Sequence, residues 1–247
     1  MRLAEGPAPL REGGQADAVP VGQHRIVFDA AVAALAAGRD AVASARDDIE
    51  LEGWPAPKRL APHAVALAAT AFRDGEEAGE GKLMLLYDPA GHDGWTGTFR
   101  VVAQVHADVE EEMAADPLLG EVGWSWLTDA LDLHAPGYAA PSGTVTRVIT
   151  EGYGTKSDDP AATGFELRAS WCPADGGVSD GLSGGLCDGL SDELSDEIGG
   201  AVVAWCELLA SAAGLPAAGT LAIGGRAAQP RAGGGGRGAL SGGRRRR

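Results

Sequence analysis

Lysine is nearly missing from this chain, with three against seventeen arginines among 20 basic residues. With 38 glycines and abundant alanine, that bias is the imprint of a GC-rich genome and not a phosphate-binding design. Cysteine is scarce too. Cys172, Cys187 and Cys206 form no Cys-x-x-Cys pair and are odd in number, which excludes a disulfide framework and a zinc ribbon. The longest mostly apolar stretch, Ala64–Phe72, falls far short of the roughly 20 residues of a membrane-spanning helix. Met1-Arg-Leu-Ala-Glu-Gly-Pro7 lacks the apolar core of a signal peptide. A soluble, reduced, cytoplasmic protein is the expectation.

Acid is absent from the C-terminal end. All 35 acids lie at or before Glu207, whereas seven of the 20 bases follow it, leaving −22 up to that point and +7 beyond. Such an acidic body repels phosphates, so nucleic acid is expected only through the tail, at Arg237, Arg244, Arg245, Arg246 and Arg247. Reactive motifs are missing as well: there is no Gly-x-Gly-x-x-Gly, P-loop or His-Glu-x-x-His pattern. Gly123-Trp-Ser-Trp-Leu127 resembles a nucleophile elbow only superficially, because it lacks the second glycine and reads as helix. The five histidines show no metal-ligand spacing; His106 with Asp108 and Glu110 comes nearest. The acidic repeats between Ala174 and Gly200 lack the order of a calcium loop. No metal or cofactor is expected.

What is present is a set of periodic segments. Glu121–Asp132 holds two of the six tryptophans and reads as a helix, with Val122, Trp126 and Ala130 on an inward stripe that Leu127 and Leu131 widen, and Trp124 turned to another surface. Ile26–Ala45 is a first helix carrying Phe28, Ala31, Val32 and Leu35 inward. Ile49–Glu52 makes a short strand. Strands follow at Ala64–Phe72, Lys82–Tyr87 and Thr98–His106, with Asp74–Gly81 as a hairpin loop. Asp108 is expected to cap the next helix. A second hairpin pairs Gly143–Tyr153 with Phe165–Trp171, and Ala201–Ala213 closes the fold with Val202, Trp205, Leu208 and Leu209 inward.

These elements predict an α+β domain, an antiparallel sheet of five to six strands with helices on one face. Residues 1–22 are expected to be disordered, 23–216 to form one domain with a mobile acidic insertion at 174–200, and 217–247 to form a disordered Gly/Ala/Arg-rich tail. The order helix, three strands, helix, two strands, helix is similar to the type III secretion chaperone-like topology, a likeness of fold alone.

Arg59–Leu67, Asp88-Pro-Ala-Gly-His92, Trp95–Val102, Met113–Leu119, Val122–Leu131 and Ala140–Val148 together resemble an uncharacterised actinobacterial family, the DUF 3000 group of unknown function. The resemblance covers about residues 24–216 and implies no catalytic residues.

Two readings of function follow. The first is a non-enzymatic, chaperone-like adaptor that holds a protein partner or a second copy through Trp54 and Trp124. The alternative is an enzyme of unrecognised type, with His92 and Asp93 as a loop acid–base pair near Arg100, or an RNA-associated protein acting through the tail.

Overall fold

The computed structural model describes residues 21–158, 161–174 and 190–218. Its elements run α1 (Val21–Ala45), β1 (Ile49–Trp54), β2 (His63–Arg73), β3 (Glu76–Tyr87), β4 (Phe99–Asp108), α2 (Glu111–Ala115), α3 (Leu119–His134), β5 (Ala139–Thr150), β6 (Ala162–Cys172) and α4 (Asp192–Ala212). The six strands form one antiparallel sheet in the order β1-β2-β3-β4-β6-β5. Four strands precede the middle helices: the short strand expected at Ile49–Glu52 runs on to Trp54 and pairs along its whole length with β2, so the order differs from the helix, three strands, helix of the chaperone-like topology.

Strand alternation explains the layering. Phe99, Val101, Ala103 and Val105 of β4 and Phe165, Leu167, Ala169 and Trp171 of β6 are buried on the helix side. β6 enters the sheet between β4 and β5 because its inward face is the more apolar. β5, with Gly143, Val145 and Arg147 at the matching positions, is left at the edge.

The helix at the centre is α4. It lies against β2, β3 and β4, with α1 and α3 on its flanks. Leu194, Ile198, Val202, Trp205, Leu208 and Leu209 are all buried. The Trp205 indole N–H donates to the Gln104 carbonyl at 3.3 Å, and the ring lies over Gly81, where a methyl group would come within 2.9 Å of it. Gly79 in turn makes room for Leu209. These glycines correct the expected loop over Asp74–Gly81: only Asp74 and Gly75, both at positive φ, turn the chain, and the rest is strand. Glycine in a strand marks a close approach of another element.

Two more expectations change around the helices. The acidic insertion, expected to run to Gly200, gives way to helix at Asp192; the part at 175–189 lies outside the described residues. Ser191 accepts a hydrogen bond from the Leu194 N–H at 3.2 Å, with Asp192 and Glu193 in the first turn, an N-cap with acids where the helix dipole favours them. Gly199 and Gly200, assigned to that insertion, are packing contacts. A methyl group at Gly38 of α1 would lie 2.3 Å from the Gly199 carbonyl oxygen, and one at Gly200 would lie 1.8 Å from the His134 carbonyl oxygen at the end of α3.

On α3 the buried stripe is Leu119, Gly123, Leu127, Ala130 and Leu131. Val122 is exposed and Trp126 half-buried, its ring 5.7 Å from that of Phe165. The fully buried tryptophans are Trp171 and Trp205. Asp108 ends β4, and α2 starts after Glu110 with no side-chain cap.

Arg46 ties the end of α1 to the end of α4. Its guanidinium donates to Asp48 at 2.8 and 3.0 Å, to Glu207 at 3.4 Å and to the Pro216 carbonyl at 3.0 Å. Burial alone would disfavour its charge, but Asp48 and Glu207 outweigh that and hold its pKa above the ordinary arginine value.

Candidate functional site

The helices cover one face of the sheet. The register reads out what lies on the other. Trp54 pairs with Ala66, Ala66 with Met84, Met84 with Val102, Val102 with Ser170, and Ser170 with Ser142. An apolar row therefore crosses β1 to β4 and turns polar on β6 and β5. Beside it runs Glu52, Ala68, Lys82, Gln104, Arg168 and Thr144, a polar row interrupted by one alanine. Met84 and Val102 are half-buried and Trp54 is 44% exposed. Lys82 Nζ sits 4.7 Å above the Trp54 ring, a cation–π contact that holds the indole at the surface.

One end of this face carries a polar cluster. Arg100 donates to Ser170 Oγ at 2.7 Å, Ser142 Oγ at 3.3 Å and Cys172 Sγ at 3.3 Å, and the Thr96 N–H reaches the same sulfur at 3.2 Å. Cys172 is fully buried, so the Thr96 N–H ties the loop over 88–98 to β6. That loop turns on Gly91, Gly94 and Gly97, all at positive φ.

His92 and Asp93 sit in the loop with exposed side chains. The His92 ring stacks on Trp95 at 5.2 Å, and its Nδ1 lies 3.0 Å from the Asp93 backbone carbonyl. The contact of His92 with Asp93 thus runs to the main chain. Arg100 spends its donors on Ser142, Ser170 and Cys172. His106, which with Asp108 and Glu110 came nearest to a metal-ligand spacing, faces Glu80 and Glu166 across the strands. Among the described residues no group of three His, Cys, Asp or Glu could hold a metal ion. Arg237 and Arg244–Arg247 lie outside the described residues.

Trp124 is half-buried over β5, where a methyl group at Gly143 would lie 2.8 Å from its ring. Its place beside the edge strand follows from the helical angle that separates it from the buried stripe. Sequence reasoning missed the groove between α3 and α4, about 390 Å³ in volume and lined by Trp126, Asp129, Leu133, His134, Glu207 and Ser211. The i, i+4 spacing of Asp129 and Leu133 on α3 is the signal that could have found its wall. The groove is open, and Glu207 on its rim already accepts from Arg46. Deep in the core, Cys206 is fully buried and its thiol is pushed up well above the ordinary value by that burial, which leaves it inert.

The molecule is thus an α+β protein with one helical layer on a six-stranded antiparallel sheet. Residues 25–221 match the family described as Protein of unknown function (DUF3000), and the chain belongs to that family. No curated protein and no solved structure matches it. No described helix is long and apolar enough to cross a membrane.

Proposed function

We propose that this protein is a non-enzymatic, chaperone-like adaptor of the cytoplasm that holds a protein partner on the uncovered face of its sheet. The observation that carries the reading is the row Trp54, Ala66, Met84 and Val102 on the side away from the helices, in which Trp54 is exposed, Met84 and Val102 are half-buried and Ala66 is buried between them. A solvated sheet face is ordinarily polar at alternate positions. Here the indole at one end and the thioether two strands further on are the residue types on which partners anchor. Lys82, Gln104 and Arg168 in the neighbouring row supply a polar rim. The free, buried thiols of Cys172 and Cys206 suit a reducing compartment.

The test is photo-crosslinking from position 84 in the full chain, followed by binding of the identified partner to purified variants. Trp54→Ala should weaken binding by about 30-fold, the cost of losing an anchor worth about 2 kcal/mol. Met84→Glu should abolish it. A partner that binds both variants as tightly as the native chain would remove the basis of the reading.

A further inference from the structure

The two edges of the sheet are not alike. β1 is six residues long, and its outer edge carries the exposed acids Glu50 and Glu52, the kind of charge that blunts an edge against pairing. β5 is twelve residues long, and no described segment pairs with its outer side. From Ala139 to Thr150 it contains no acid, in a chain whose formal charge is −15. Its one charged residue, Arg147, is exposed and basic, with Nη1 donating to the Ala114 and Asp116 carbonyls on the helix side. Thr144, Thr146, Val148 and Ile149 are exposed along it, β-branched residues that favour pairing. The ring of Trp124 flanks the strand at Gly143.

We infer that β5 is a self-association edge, at which two copies of this chain pair antiparallel across a two-fold axis into one continuous sheet. An antiparallel strand pair is self-complementary under that symmetry, as an isologous interface requires. Charge selects the same occupant. Two copies of a strongly acidic protein repel over most of their surface, and pairing at β5 brings an acid-free edge onto itself. Ser142–Thr150 is about 30 Å long in extended form. A contact of one strand pair with a single flanking indole belongs at the small end of specific interfaces, so the dimer is expected to dissociate in the micromolar range. Pairing at β5 leaves Trp54 and the apolar part of its row uncovered, because they lie on β1 to β4 and Trp54 is at the opposite edge of the sheet. The inference therefore stands independently of the adaptor reading.

The test is sedimentation equilibrium of the full chain from 1 to about 100 µM. The native protein should move from 25.0 kDa toward twice that mass. Thr144→Glu combined with Val148→Glu changes two exposed side chains and should weaken the dimer at least tenfold at unchanged thermal stability. Thr144→Lys combined with Val148→Lys should also be monomeric, and mixing it with the acidic variant should restore the doubled mass. Trp54→Ala should leave the dimer intact. A native chain monomeric throughout, a dimer indifferent to both β5 variants, or a dimer lost with Trp54→Ala would each overturn the inference. So would a strand of a different protein crosslinking to β5 in place of a second copy.

Discussion

Alanine at Gly200 sets two effects of opposite sign against each other. Gly200 is inside α4, where alanine is intrinsically better than glycine by about 1 kcal/mol. Its new methyl group, however, would lie 1.8 Å from the His134 carbonyl oxygen and 2.7 Å from the carbonyl carbon. Both are backbone atoms, so the whole end of α3 must retreat by about 1.5 Å to reach ordinary van der Waals contact. Overpacking of this kind costs about 3 kcal/mol, which leaves a net loss of about 2 kcal/mol. In a chain of this size that lowers Tm by about 4–8 °C. Gly120, in the first turn of α3, has nothing within 4 Å of the same position, so Gly120→Ala should raise Tm by up to about 4 °C. Gly199→Ala, meeting the Ala34 carbonyl at 3.3 Å, should fall between them. Thermal unfolding followed by circular dichroism ranks the three. If Gly200→Ala raised Tm as much as Gly120→Ala, the close seating of α3 on α4 would be refuted.

Arg46→Ala should destabilise by about 3 kcal/mol, since it strands Asp48 and Glu207, two partly buried carboxylates, without their cation; a urea midpoint unchanged within error would contradict the clamp. Glu197→Gln should act through pH. Burial raises the Glu197 carboxyl pKa against the lowering effect of the Gly137 N–H, and Asp196 raises it further. A carboxyl raised on folding costs stability above the folded pKa, and that cost fades as pH falls toward the ordinary value. The variant keeps an acceptor for Gly137 and drops the charge, so it should gain on the native protein at pH 7 and lose that advantage near pH 4. A gap of constant size across that range would show that the charge is not the cause.

The strands with full side chains were legible in the sequence. β4 and β6 announce their inward faces by strict alternation, and α4 does so at Val202, Trp205, Leu208 and Leu209. What escaped was written in glycine. Gly79 and Gly81 read as loop because a residue with no side chain carries no hydrophobic signal, yet the absence is what admits Trp205. Gly123 hides the buried face of α3 in the same way. It lies under the Phe165 ring and adds nothing to the periodicity, so the stripe is centred on Val122 and Trp126 in the sequence although Leu127, Ala130 and Leu131 are the ones buried. Ser191-Asp-Glu-Leu194 looked like one more repeat because its neighbours share the composition; only its hydrogen bond to the cap distinguishes it. The candidate sites fared similarly. His92 and Asp93 are adjacent in sequence, but adjacency in a turn does not aim two side chains at one point. The row from Trp54 to Val102 could not be read at all without register, since it draws one residue from each of four strands.

Because α4 fills the middle of the helical layer and comes after every strand, the molecule cannot mature in the order in which it is synthesised. Until residues 192–212 leave the ribosome, β3 and β4 have no helix to cover Leu83, Leu85, Val101 and Val105. The nascent chain must therefore carry a greasy, half-finished sheet from the synthesis of β4 until that of α4. A stop placed anywhere before Leu208 should give a product that sticks to holdase chaperones or is degraded, and not a smaller working version of the protein.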